Sequence, residues 1–233
     1  MVKQKLALLF LLVISARISQ AQTGIGLEGG ISSSYLSTNI SNRVSTSISY
    51  GAGYTVNLSY QYKIKHWLYI ETTPGITQKN YFINRTDSFA GIYQEFKNTY
   101  LQIPIMAKFL YGHHSFQVFS DAGLYGGYWL SGRVNGVIPN ILSITQDAQG
   151  NGSIQQVSYD EKYQFNPQTD NRMEFGWVAG AGVQYHINHD YMLTASAKYY
   201  EALTNQQKDY EVNQVPQYNQ TFTFSLGFMK TFR

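Results

Sequence analysis

The sequence predicts an all-β protein: an eight-stranded antiparallel up-and-down transmembrane β-barrel with short periplasmic turns and long extracellular loops. Three observations predict it. The chain opens with a leader of export layout, eight segments alternate apolar with small or polar residues, and the connections alternate between tight and long. Composition agrees, because 20 Tyr, 13 Phe and 20 Gly with only 13% charged residues favour strands over helices.

The leader MVKQKLALLFLLVISARISQA sets Lys3 and Lys5 before an apolar run from Leu6 to Ile14 and ends on Ser19 and Ala21. That is the layout of a signal peptide. The run is far shorter than the about 20 residues of a spanning helix. Cleavage after Ala21 is expected, so the domains are a signal peptide, 1–21, and one barrel domain, 22–233. The chain has no Cys, which excludes a lipid-modified N-terminal cysteine, a disulfide framework and thiolate metal or redox chemistry. Because Lys3, Lys5 and Arg17 lie in the leader, the 17 basic residues fall to 14 in the mature chain, against 14 acidic. A neutral mature chain lacks the electrostatic footprint of a nucleic-acid binder.

The strands follow in order. Segment 24–34 alternates weakly, and 50–62 sets Tyr50, Ala52, Tyr54, Val56, Leu58, Tyr60 and Tyr62 against Gly51, Gly53, Thr55, Asn57, Ser59 and Gln61. Segment 67–78 is weaker again. In 99–110, Leu101, Ile103, Ile105, Ala107 and Phe109 oppose Tyr100, Gln102, Met106 and Lys108. After a weaker 116–130, segment 173–187 opposes Phe175, Trp177, Ala179, Ala181, Val183 and Tyr185 to Glu174, Gly176, Gly180, Gly182, Gln184 and His186. Segment 191–200 opposes Tyr191, Leu193, Ala195, Ala197 and Tyr199 to Thr194, Ser196, Lys198 and Tyr200. The closing TFTFSLGFMKTFR carries Phe222, Phe224, Leu226, Phe228 and Phe232. Tight turns are expected at 63–66, 112–114 and 188–190, and long polar links at 35–49, 79–98, 131–172 and 201–219. The longest link includes a hairpin near 150–152, whose arm YDEKYQ has charges on both faces and belongs outside a membrane; inserted, it would make ten strands.

A soluble β-sandwich would also alternate. Its wet faces usually carry Lys, Glu and Asp, whereas these polar faces are mostly Gly, Ser, Thr, Asn and Gln, which suit the crowded inside of a narrow barrel. The apolar faces end in aromatic residues, as interfacial girdles do. The last strand is then expected to face lipid through Phe222, Phe224, Leu226, Phe228 and Phe232 and to close the barrel against 24–34.

NTYLQIPIMAKFLYG (98–112), SDAGLYGGYWLSG (120–132), FGWVAGAGVQY (175–185) and FTFSLGFMKTF resemble the PorT-type outer-membrane β-barrel proteins of Gram-negative bacteria over nearly all the mature chain. The resemblance implies eight strands and recognition of the last strand by the outer-membrane assembly machinery. Here Arg233 follows Phe232, displacing the usual aromatic end by one residue. The family shares no enzymatic activity.

Candidate chemistry is sparse. GIGLEG (24–29) has dinucleotide-binding spacing but precedes no helix, so strand glycines explain it. His113, His114 and Ser115 invite a hydrolase or metal reading, with His66 and His189 in the other short turns and His186 facing inward, yet polar turn residues suffice. By parity Glu28, Glu71, Lys108, Asp121, Glu174 and Lys198 point into the barrel, where isolated charges are costly, so a polar network is expected. The expected protein is non-enzymatic and monomeric, without cofactor, metal or nucleic acid. It lies in outer-membrane lipid and binds a surface ligand or protein partner through its loops, with a link to secretion or envelope integrity in view. A small channel and a lipid-modifying membrane enzyme are the alternatives.

Overall fold

A strand in hydrocarbon has no water to satisfy its amides, so each edge needs a neighbour. The computed structural model describes residues 23–41, 43–112, 115–146 and 152–232; the expected signal peptide, His113 and His114 lie outside the described residues. Ten strands are assigned: β1 (Thr23–Thr38), β2 (Thr46–Lys65), β3 (Leu68–Thr72), β4 (Gly75–Arg85), β5 (Tyr93–Tyr111), β6 (Phe116–Gln146), β7 (Gly152–Lys162), β8 (Met173–His186), β9 (Tyr191–Ala202) and β10 (Gln217–Phe232).

Eight crossings form the wall. β3 and β4 are one crossing, since Thr72↔Ile105 and Gly75↔Gln102 keep one register against β5, and Tyr60↔Thr72 and Asn57↔Gly75 keep one against β2. The interruption falls at Thr73 and Pro74, where proline lacks an amide donor. The Pro74 carbonyl still accepts the Leu58 N–H at 2.9 Å, and the Thr72 hydroxyl donates to the Pro104 carbonyl at 2.6 Å, so the ladder is bridged. Antiparallel ladders then run β1–β2, β2–β3/β4, β3/β4–β5, β5–β6, β6–β8, β8–β9 and β9–β10, and β10 returns to β1 with Leu27 opposite Phe228. The ring has no free edge.

β7 stands outside that ring and pairs only with the upper part of β6, from Arg133↔Lys162 to Pro139↔Gln156 and again from Ile144↔Ile154. The charged arm therefore adds a hairpin above the wall and leaves eight crossings, not ten. The long links expected from the sequence are shorter in fact. Pairing extends to Arg85 and resumes at Tyr93, so most of 79–98 is strand; similarly 131–172 holds the end of β6 and all of β7. Above the wall water reaches both faces, so the backbone ladder continues after the side-chain alternation has faded.

The alternation within the wall sorts residues as their parity requires. Asn219, Thr221, Thr223, Ser225 and Met229 of β10 are buried inside, while Phe222, Phe224, Leu226, Phe228 and Phe232 face outward. Leu27, Ile31, Ile103, Ile105 and Leu124 are likewise exposed on the outside. Aromatic contacts gather at the two ends of this belt: Trp177 and Phe222 both pack on Tyr199, and at the other end Tyr191 stacks on Phe228 and Trp67 on Phe109. Inside, Gly180 admits close approach, since a Cβ there would lie 2.6 Å from Asp121 Oδ1 and 2.7 Å from Lys198 Cγ. Gly112 supplies the positive φ of 111° for one tight turn.

The outward row sets a test of depth. Leu226→Arg, midway along the row, is expected to cost about 2–4 kcal/mol, and Phe232→Arg near the end about 0–1 kcal/mol for its charge. Urea titration of protein refolded in phosphatidylcholine vesicles measures both; equal costs would mean the row does not cross a bilayer.

Candidate functional site

Each inward parity position of a narrow barrel meets its counterparts across the lumen, so charges distant in sequence become neighbours. All six charged residues expected inside are buried. In one tier, Glu71 accepts hydrogen bonds from Gln61 Nε2 (2.7 Å), Lys108 Nζ (2.8 Å) and Lys198 Nζ (3.0 Å), and Lys198 Nζ also lies 3.9 Å from Glu28. The Lys108 ammonium lies 3.9 Å from the centroid of the Phe119 ring. Asp121 belongs to this tier by register, opposite Lys108 and Gly180, yet its carboxylate accepts no hydrogen bond among the described residues.

Glu174 does not join that tier. It pairs with Lys79, accepts the Tyr125 hydroxyl at 2.9 Å and the Asn219 amide at 2.7 Å, and so forms a second tier nearer the extracellular end. The Lys79 ammonium lies 5.0 Å from the Tyr100 ring and 5.1 Å from the Tyr125 ring. Lys79 escapes sequence reasoning because it lies in the stretch expected to be a link; the signal available was Thr77, Lys79 and Tyr81 on one parity. Met106, Tyr125, Val178 and Tyr200 form a buried apolar cluster that, on β5, β6, β8 and β9, lies just above the first tier, with the Tyr125 hydroxyl reaching the second. Tyr125 meets Tyr200 edge-on at 5.3 Å.

Above the second tier the wall opens into a cavity of about 240 Å³. Leu36, Tyr81, Phe96 and Trp129 come from the wall, Tyr163 and Asp170 from the segment between β7 and β8, and Gln206, Gln207 and Gln217 from the segment before β10 and its start. Those two segments are tied together: Asn171 donates its amide N–H to the Gln206 carbonyl, its side-chain amide to the Asn205 carbonyl, and Lys208 N–H bonds Thr169 O. Tyr81 stacks on Phe96 (4.8 Å) and Trp129 on Tyr163 (5.0 Å). The Tyr163 hydroxyl donates to Asp170 at 3.0 Å. Burial and then the Asp170 carboxylate push the Tyr163 phenol above its ordinary value, so it keeps the proton it donates. None of these mouth residues carries a motif that reads from sequence; their link is spatial.

Among the described residues no three His, Asp or Glu side chains are placed to hold a metal. His186 lies 3.2 Å from Gln117 Oε1, which also accepts the Gln184 amide at 2.7 Å. GIGLEG lies within β1.

Removing one member of the buried tier is expected to expose its cost: Glu71→Leu leaves Lys108 and Lys198 without their shared carboxylate and destabilises by about 3–5 kcal/mol. The same vesicle titration reads it, with Glu95→Leu, in a half-exposed pair with Lys97, changing stability by under about 1 kcal/mol.

Residues 19–207 match the family model described as outer membrane protein beta-barrel domain. No curated protein matches the sequence. Solved structures do. The outer membrane protease OmpT from Escherichia coli is 8% identical with a TM-score of 0.53, covering 91% of this chain and 97% of that one. Neisserial surface protein A is 14% identical with a TM-score of 0.46, covering 89% and 97%. Ail of Yersinia pestis is 14% identical with a TM-score of 0.43, covering 91% and 99%. At 8% identity the likeness to the protease structure is one of fold alone.

Proposed function

The chain belongs to the outer membrane protein beta-barrel domain family, and from that premise we propose a non-enzymatic barrel that binds a ligand or protein partner at the cell surface. Leader 1–21 directs export, the short turns face the periplasm and the outward aromatics of β10 present the barrel to the assembly machinery. The PorT-type resemblance of its strands fits this placement and leaves room for a part in secretion or envelope integrity.

The observation that carries the reading is the division of the molecule into a filled wall and an elaborated mouth. Below, Lys79, Lys108 and Lys198 engage Glu174, Glu71 and Glu28, and the Met106–Tyr125–Val178–Tyr200 cluster lies just above the first tier. An eight-stranded interior is just wide enough for side chains, which argues against an open solute path. The interior acids and bases other than Asp121 are bound to one another, so they are poor candidates for acid–base work on a lipid or a peptide. Above the β6–β8 ladder, β6 and β7 keep seven regular pairs, about 23 Å at the usual rise per residue. Among the described residues the outer edge of β7 has no strand partner, a form of edge that extended peptides join. Ile138 and Val157, paired across the hairpin, are exposed apolar residues.

Shortening the hairpin tests this. Replacing 138–157 with a Gly-Asn-Gly turn is expected to preserve heat-modifiable gel migration while cells displaying the barrel lose at least tenfold in adhesion to a panel of immobilised glycoproteins; undiminished adhesion would overturn the reading. In planar bilayers the intact protein is expected to be silent. Steady conductance that changes on Lys79→Met would instead establish the channel.

A further inference from the structure

The mouth cavity is built for a particular kind of ligand, and this inference rests on the surface-binding reading above. Its volume of about 240 Å³ falls below the roughly 300–1,000 Å³ of pockets for drug-sized molecules, so it suits a single small ring. Its walls join two stacked aromatic pairs, Tyr81–Phe96 and Trp129–Tyr163, to a set of amides from Gln94, Gln206, Gln207 and Gln217. Gln206 is the informative member. Its residue is 7% exposed, its Nε2 donates to the Tyr100 hydroxyl at 3.1 Å, and its buried Oε1 has no partner among the described residues. A buried acceptor left unmade is costly, and Gln206 lines the cavity, so a ligand that donates a hydrogen bond once the amide turns toward it would offset that cost.

That requirement selects among ligand classes. A fully ionised anion such as sulfate offers no donor to Gln206 Oε1, and any anion, phosphate included, would meet the Asp170 carboxylate on the same wall. A quaternary ammonium suits aromatic faces but has no N–H or O–H to give. A primary ammonium would seek Asp170, whose Oδ1 already accepts from Tyr163 and Thr169 and whose Oδ2 accepts from the Asn166 N–H. The Arg43 guanidinium lines the same cavity and opposes a cation further. What remains is a neutral ring bearing several hydroxyls: each hydroxyl both donates and accepts, as an amide-lined wall requires, and its C–H faces pack on rings.

We infer that the extracellular mouth binds a monosaccharide unit, free or at the end of a surface glycan, between the aromatic pairs and the Gln94, Gln206, Gln207 and Gln217 amides. Titration calorimetry on the folded full chain in lauryldimethylamine oxide, a detergent without sugar, tests this. The probes are glucose, galactose, mannose and N-acetylglucosamine, with tetramethylammonium and inorganic phosphate beside them. At least one sugar is expected to bind. Gln94→Ala and Gln206→Ala are each expected to weaken it at least tenfold, and Ile83→Trp, which fills the cavity from its side wall, to abolish it. Heat-modifiable migration verifies that each variant is folded.

Absence of sugar binding, sugar binding indifferent to all three variants, or binding of tetramethylammonium or phosphate in place of sugars would each overturn the inference. If no sugar binds while hairpin-dependent adhesion persists, the sugar site alone falls. If sugar binds as expected but shortening the hairpin leaves adhesion intact, the error lies in the hairpin's role.

Discussion

Closure of β1 on β10 is the constraint on which the rest of this molecule depends. A sheet in hydrocarbon cannot leave a row of amides unpaired, and the ladder from Thr23↔Phe232 to Thr38↔Gln217 removes the last open edge. Once the sheet is closed with eight crossings, its interior is narrow. Every inward residue then faces not only its neighbours on the wall but residues across the lumen.

That narrowness explains why so many charges can be buried. A lone lysine inside would be expelled or neutralised, but Lys108 and Lys198 share Glu71, while Lys79 meets Glu174 among hydroxyl and amide donors. Such networks are weak evidence for net stability, because desolvation offsets much of the attraction. Their consequence is specificity: the partners come from β3, β4, β5, β8 and β9, so a slipped register would leave several charges alone at once. Asp121, without a hydrogen bond among the described residues, is the member for which this accounting does not close.

Above the membrane the constraint relaxes and the ladder serves another end. Water can satisfy exposed amides, so strands need not be capped by neighbours, and β6 continues past the end of β5 with β7 as its partner. The segments before β8 and before β10 are fastened to each other through Asn171, Asn205 and Gln206. A rigid rim of this kind holds aromatic rings and amides at fixed spacing, the condition for recognising a small ligand with few contacts.

The sequence by itself determined the architecture of the wall. Alternation at period two, as in Phe222, Phe224, Leu226 and Phe228 against Thr221, Thr223 and Ser225, assigns each residue a face without knowledge of its neighbours, because the pleat does so locally. The inward parity of Glu28, Glu71, Lys108, Asp121, Glu174 and Lys198 was legible for the same reason. What only the tertiary structure decided is which of them meet: Glu174 pairs with Lys79 rather than with the tier around Glu71. Strand length above the wall was hidden too, since side chains wet on both faces have no reason to alternate. The mouth was beyond reading, because Trp129, Tyr163, Asp170 and Gln206 come together through barrel closure and the docking of two connecting segments, contacts that leave no periodic mark on the chain.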